Sequence, residues 1–524
     1  MQLLDSPFDA LNKKTSMTAS RAVLPDTLDT LLDRMQYRAD PLADRTINDI
    51  LGPWGQLPDA AAAKLQVSSE ASTLAAKWQP QWQPQWQNLA AVTQTFAQWT
   101  DNGSISGWRG GSGLAPEISA SLENYVQAAR RLPDWADPAK LTRAEALFMD
   151  YGALSVTMLF CSSLPECYVI PDLAAVLQVT GKLVTHTDHR IRATGAMIFP
   201  VMMRGGLNAA DGGGVAQIFK VRLIHATIRN LILRSSPAAA MATLAASRNG
   251  ENLRYAEDAG IVPPLTALAA TDNMHQALFA HGWKTGADGL PCNQEELAYT
   301  LLTFSYVFLR NMKKLGLPLS REDCEAYLHC WNVSGHMLGI ERELMANTME
   351  EAETMFACMQ ARGRADWLKR PTPSDPRPAL GNALMQAMEQ VIPISALKPF
   401  PVLLTRYLCG PDTSRDLGLN GPISWLSRLL FAGCVFLVRA IDWLVRLVFP
   451  QFSITRFVTR VLGYHLITKL LMDETRPLKL PEHVRSGVAS MISRWSDDPK
   501  APRWLNSLED TMTIKDSWNR PAQK

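Results

Sequence analysis

The sequence predicts an all-α protein, and three observations predict it. Apolar residues recur at helical spacing, as in Ile218, Val221, His225, Ile228 and Ile232. Helix-start signals recur too: Asn293 precedes Glu295 and Glu296, and Ser320-Arg-Glu-Asp323 has the shape of a capping box. Strand signals between Ser119 and Met345 are sparse and short.

Taken in order, residues 1–118 read as an N-terminal helical extension, split early by Pro25, Pro41, Pro53 and Pro58. Within it, Trp78-Gln-Pro-Gln-Trp82-Gln-Pro-Gln-Trp86 repeats a short unit. A proline at every fourth residue predicts an extended, polyproline-like strap that packs tryptophans on the body. The glycine-rich stretch from Gly103 to Gly113 follows no strand and lacks a closing Gly-Lys-Ser/Thr, so it reads as a turn before a helix. Residues 119–362 form the main helical body. Gly335 and Gly339 sit one turn apart there, spacing that permits close approach of a helix or a flat ligand. Residues 363–402 are expected to be a Pro-rich linker.

The last segment, 403–524, is amphipathic. Between Trp425 and Phe449 the charged residues Arg428, Arg439, Asp442 and Arg446 fall on one narrow helical face, with Trp425 and Trp443 at its edge. The charge-free run Leu429 to Val438 is too short to cross a bilayer. Two readings follow. The helix lies in a membrane interface, aided by Arg456, Arg460 and Lys469, or it packs on the body with its polar stripe outward.

At 524 residues the chain can bury a large core, and its net charge of +2, with no run of Lys and Arg, argues against a nucleic-acid partner. Met1-Gln-Leu-Leu-Asp-Ser has no basic region ahead of an apolar one, so a cytoplasmic location is expected, peripheral on the inner membrane face if the C-terminal helices meet lipid. The 8 cysteines are scattered, as suits reduced thiols. None forms a zinc pattern or C-x-x-C-H, so any haem is held non-covalently.

The candidate site begins with Lys220-Val-Arg-Leu-Ile-His225-Ala-Thr-Ile-Arg229. His225 projects from an apolar stripe, and Arg229 lies one turn on. An imidazole in an apolar wall is what a b-type haem takes as its axial ligand, and a guanidinium beside it can neutralise a propionate. The plain alternative is a hydrogen-bonded core histidine.

The surrounding segments add to this. Upstream is Gly181-Lys-Leu-Val-Thr-His-Thr-Asp188-His-Arg190-Ile-Arg192-Ala-Thr194-Gly195; downstream are Asn293-Gln294-Glu295 with its apolar run and Tyr327-Leu-His-Cys-Trp331-Asn-Val-Ser-Gly335-His336-Met-Leu-Gly339. In this order, over roughly Tyr125 to Met359, they resemble the catalytic domain shared by latex clearing protein (rubber oxygenase) and the MpaB-type oxygenases. The resemblance implies a globin-like helical domain that binds haem b and its iron and uses dioxygen. It implies His225 as the proximal iron ligand, Arg229 as the arginine that follows it, and Arg190 and Thr194 as the distal-side pair. The substrate expected is a hydrophobic small molecule, isoprenoid or lipid-like.

One departure stands out. Rubber oxygenases carry a glutamate a short way before the distal arginine, where this chain has Asp172-Leu-Ala-Ala-Val-Leu-Gln. Glu166 is the nearest substitute as a base, or else it caps the following helix. Other candidates for iron are His186 and His189 flanking Asp188, and His329 and His336. Two further functions compete with an oxygenase: a haem-binding sensor or carrier without turnover, and a metal-free, membrane-peripheral helical scaffold.

Overall fold

A computed structural model describes residues 26–52, 70–111, 113–179, 187–234, 261–262, 274–317, 319–369, 375–390, 392 and 394–448. Its elements are helical apart from a two-residue antiparallel pair, β1 (Ile261–Val262) with β2 (Trp283–Lys284), so the all-α expectation holds. In chain order the helices begin with α1 (Asp26–Met35), α2 (Pro41–Leu51), α3 (Glu70–Thr95), α4 (Asn102–Gly107), α5 (Pro116–Ala129) and α6 (Pro138–Met158). A π-helical turn, Leu159–Ser163, leads into α7 (Leu164–Cys167) and α8 (Pro171–Val179). Then come α9 (Thr187–Met202), α10 (Gly214–Arg234), α11 (Met274–Ala280), α12 (Thr285–Asp288), α13 (Gln294–Phe304) and α14 (Tyr306–Lys314). The last are α15 (Arg321–Met337), α16 (Met349–Lys369), α17 (Pro376–Glu389), α18 (Phe400–Cys409), α19 (Pro411–Asp416) and α20 (Trp425–Val448).

The caps read from sequence are present. Asn293 Oδ1 accepts the Glu296 N–H at 2.9 Å and starts α13, and Ser320 Oγ accepts the Asp323 N–H at 3.1 Å and starts α15. Asp40 caps α2, with Pro41 in the first turn, where its missing N–H costs nothing.

One hydrophobic core runs from Leu28 to Leu419. The helices of the N-terminal stretch therefore belong to the main body: Leu28, Leu32, Ile47 and Ile50 are all core residues. The expected linker is corrected as well. Helix α16 continues to Lys369, and α17 opens with the Asp375 side chain accepting the Arg377 N–H at 3.0 Å. Leu380, Leu384, Met385 and Met388 of α17 are buried. Prolines at helix starts initiate structure rather than interrupt it, which is why composition alone misread this stretch. Residues 370–374 lie outside the described residues.

The tryptophan repeat is a second correction, since Pro80 and Pro84 both fall inside helix α3. The two missing N–H donors would have served the carbonyls of Ala76 and Pro80, one turn apart. The loss therefore falls on a single face of the helix. At the end of the repeat Trp86 stacks on His275 at 6.4 Å and meets Phe279 edge-on, which ties α3 to α11.

Gly335 and Gly339 have different tasks. Gly335 lies in α15, where an added Cβ would come within 2.7 Å of Leu301 of α13. Gly339 lies beyond the helix end at φ 89°, and a side chain there would run into Asp40. His336 is exposed, with its ring 5.8 Å from Trp135. His329 Nε2 accepts the Asp137 N–H at 2.9 Å. The π-helical turn was not foreseen.

Candidate functional site

The site is built on the α9–α10 hairpin. Asn102 of α4 latches its turn: Nδ2 donates to the carbonyls of Gly206 (2.9 Å) and Ala209 (2.8 Å), and Oδ1 accepts the Val215 N–H (3.0 Å). Helix α10 then packs along α9, and on its other sides against α2 and α11. Thr194 lies 8 residues before the end of α9, and His225 lies 11 residues into α10. At about 1.5 Å of rise per residue these are ~12 and ~16 Å from the hairpin turn, and Arg190 falls at ~18 Å. The hairpin thus brings the backbones of the predicted residues to a common height.

Most of α10 is buried. Its more open side carries Lys220, Val221, Ile224, His225 and Thr227, so the His225 imidazole is half-buried beside aliphatic side chains. Burial pulls the Lys220 ammonium down to about 8.

Two ion pairs fix the helix on either side of His225. Arg222 Nη2 donates to Asp40 Oδ1 at 2.8 Å and Nη1 to the Met337 carbonyl at 2.9 Å. Arg229 Nη2 donates to Asp44 Oδ1 at 2.9 Å, Nε to the same carboxylate at 3.0 Å, and Nη1 to the Cys292 carbonyl at 2.7 Å. Burial works against the charge on Arg229, but the Asp44 carboxylate outweighs it and holds the guanidinium above its ordinary value. Arg229 is therefore committed to Asp44 and carbonyl oxygens, where the sequence suggested a free cation for a propionate. Asp40 and Asp44 were missed in the sequence. The readable signal was only the Asp-Pro helix start, because their partners are 182 and 185 residues away.

Thr194 is half-buried on α9. One turn further, Ile198 and Phe199 enter an aromatic cleft completed by Phe148, Phe304, Phe308 and Trp331. The cleft draws on α6, α9, α13, α14 and α15, and the Phe304 and Trp331 rings are stacked at 5.6 Å. Its walls are mostly apolar side chains, and they enclose only a small space. The Arg190 side chain and those of Asp188, His189 and Arg192 lie outside the described residues, as does His186.

Glu166 sits in a buried hydrogen-bond network away from the hairpin. It is 1 % exposed on α7, and its carboxylate accepts from Arg310 Nη2 (2.7 Å), Gln360 Nε2 (2.7 Å) and Thr413 Oγ1 (3.0 Å). Its own carbonyl accepts from the Tyr299 hydroxyl at 2.8 Å. These partners come from α13, α14, α16 and α19, none from the hairpin. A carboxylate so held ties helices together, with three donors on its two oxygens.

The fold and site define a class: an all-helical protein whose helical hairpin carries an imidazole and stands beside an aromatic cleft. Residues 265–445 match the family model described as ER-bound oxygenase mpaB/B'/Rubber oxygenase, catalytic domain. The rubber oxygenase of Streptomyces sp. (strain K30) is 24% identical over 365 residues, covering 68% of this chain and 72% of the relative. A match of that extent necessarily includes the middle third of the chain, and with it His225. Latex clearing protein in its closed state is a structural neighbour at TM-score 0.46 and 19% identity, over 87% of this chain and 91% of that one. Over these spans the chain is similar to the latex clearing protein/MpaB family of oxygenases. The family model begins after α10 and extends through most of α20, further toward the C-terminus than the motifs alone reached.

Proposed function

We propose that the chain is a haem b-dependent oxygenase of a hydrophobic, isoprenoid or lipid-like substrate, with His225 as the axial iron ligand and dioxygen as co-substrate. The observation that carries this reading is the setting of His225: a half-buried imidazole among aliphatic side chains, on a helix pinned by Arg222–Asp40 and Arg229–Asp44. The donors suit the group, since one neutral imidazole in an apolar wall is enough for a non-covalent haem. Among the described residues no three His, Cys, Asp or Glu side chains converge as ligands for a bare ion.

When bound, the haem supplies the redox chemistry that activates dioxygen. The chain's own residues do the rest. His225 would hold the iron. Arg229 acts through Asp44, fixing the pitch and rotation of the helix that presents the imidazole. Thr194 and Arg190 share the helix that packs along α10, and they would supply a hydroxyl and a positive charge to the bound group. The aromatic cleft one turn beyond Thr194 takes the apolar part of the substrate and keeps water out. Glu166 is left out of the chemistry.

The test is an absorption spectrum with iron quantified, on protein from haem-supplied cells. A Soret band at one haem per chain, absent from a folded His225→Ala variant, is expected. Wild-type protein that takes up no hemin overturns the reading. A His225→Ala protein with unchanged haem and spectrum overturns the ligand assignment. Oxygen uptake on adding an unsaturated apolar substrate then separates an oxygenase from a carrier.

A further inference from the structure

Six of the ten exposed large hydrophobic side chains among the described residues lie on α20: Trp425 (74 % exposed), Leu426, Leu429, Leu430, Phe436 (73 %) and Leu437. The helix touches the body along a narrow line. Ser427 is buried and Phe431 meets Phe400 of α18 edge-on at 5.4 Å. At 100° per residue the six fall in a single arc of about 140°. Arg428 and Arg439 stand together at one border of the arc, and Arg439 reaches back to the Tyr407 hydroxyl at 3.4 Å. No Asp or Glu occurs between Asp416 and Asp442, so the stretch that carries the arc holds two arginines and no acid, and Asp442 follows it on the arginine side of the helix.

We infer that this face of α20 docks on an anionic lipid surface, with the helix lying in the plane of the interface. No single helix among the described residues is long and apolar enough to cross a membrane, and α20 is interrupted by Arg428 and Arg439. An apolar arc with a tryptophan at one end and arginines along one border is built to sink side chains below the headgroups and leave cations among the phosphates. A second copy of the chain is a poorer occupant. Antiparallel pairing centred between Gly433 and Cys434 would bring Arg428 of one copy against Arg439 of the other, and like charges repel. The inference does not depend on the haem reading, because vesicle binding is measured with or without haem.

The test is co-sedimentation of the full chain with phosphatidylcholine vesicles, with and without phosphatidylglycerol. Binding to the anionic vesicles is expected. Phe436→Glu should weaken it about tenfold or more, since a buried aromatic is replaced by a charge. Arg428→Gln with Arg439→Gln should cost about tenfold on anionic vesicles and leave any neutral binding unchanged. These positions are exposed, and circular dichroism checks that each variant is folded. Brominated lipids should quench part of the tryptophan emission, a part missing in Trp425→Phe. Wild-type protein that ignores anionic vesicles overturns the inference, as does Phe436→Glu binding them as wild type does. If Phe436→Glu instead turns a dimer into a monomer with vesicle binding unchanged, a second copy covers the face.

Discussion

Asp44 and Arg229 meet across 185 residues of chain, Nη2 to Oδ1 at 2.9 Å, and the contact joins the second described helix to the one that carries His225. The Asn230 side chain donates to the same carboxylate oxygen at 3.0 Å, so Asp44 serves two neighbouring residues of α10. The guanidinium is 3 % exposed and the carboxylate 20 %. A buried cation left without its counter-ion is costly, whereas a surface pair is worth little.

Asp44→Ala should therefore destabilise the protein by about 3 kcal/mol, as expected for a buried ion pair deprived of one partner. Glu325→Ala, which removes the half-buried helix partner of the exposed Arg321, should change stability by no more than about 0.5 kcal/mol. Urea denaturation of the two variants makes the comparison. Equal losses would mean that Arg229 finds another acceptor or reaches water.

How far this was legible in the sequence depends on the range of each interaction. The caps at Asn293 and Ser320 are local, three residues from cap to partner, and both were read correctly. The His225 stripe is also local, and the helix that its spacing predicts is present as α10. The Arg229 partner was not readable, because nothing near either residue marks a pairing so distant in sequence. The prolines misled in two ways. Those at 80 and 84 fall inside a helix whose lost hydrogen bonds lie on one face, and Pro376 begins a helix. Burial of Glu166 was invisible for the same reason as the Asp44 pair, since Arg310, Gln360 and Thr413 come from three separate helices. The expectations for Arg456, Arg460 and Lys469 lie outside the described residues.

Glu166 provides the second prediction. If it is an anchor, Glu166→Gln and Arg310→Met should each destabilise by roughly 3 kcal/mol, because each leaves the partner buried without its opposite charge. On the proposed function, both should retain haem when folded, and both should lose activity only to the extent that they unfold. The double variant should cost less than the sum of the two single changes. A Glu166→Gln enzyme that is fully folded and haem-loaded but inactive would return the residue to the chemistry.

The aromatic cleft yields a third. Phe199 is 2 % exposed and packs on Phe148 with ring centroids 5.6 Å apart, so Phe199→Ala should cost about 3 kcal/mol or more. Phe199→Leu keeps most of the volume and should cost less, while widening the cleft one turn from Thr194. If the cleft receives substrate, Phe199→Leu alters KM for apolar substrates of different length and leaves haem content at the wild-type level. An unchanged chain-length preference would show that the substrate enters elsewhere.

The last prediction concerns pH, and its sign follows from Glu296. This carboxyl is 3 % exposed at the start of α13. Burial first, then the charge of Asp172 and those of Asp288 and Glu295, push it well above the ordinary carboxylate value, against the opposing effect of the Cys292 backbone N–H. The folded protein therefore keeps a proton that the unfolded chain has released, throughout the window between the ordinary value and the raised one. Since the native state binds more protons there, stability contributed by this group is complete below the window and is lost as pH rises through it. Glu296→Gln has no proton to lose and should escape that decline. Urea denaturation at a series of pH values should show the stability of the variant relative to wild type growing as pH rises from the acid side. Curves that run parallel would mean that Glu296 is ionised in the folded protein and that water or a cation reaches it.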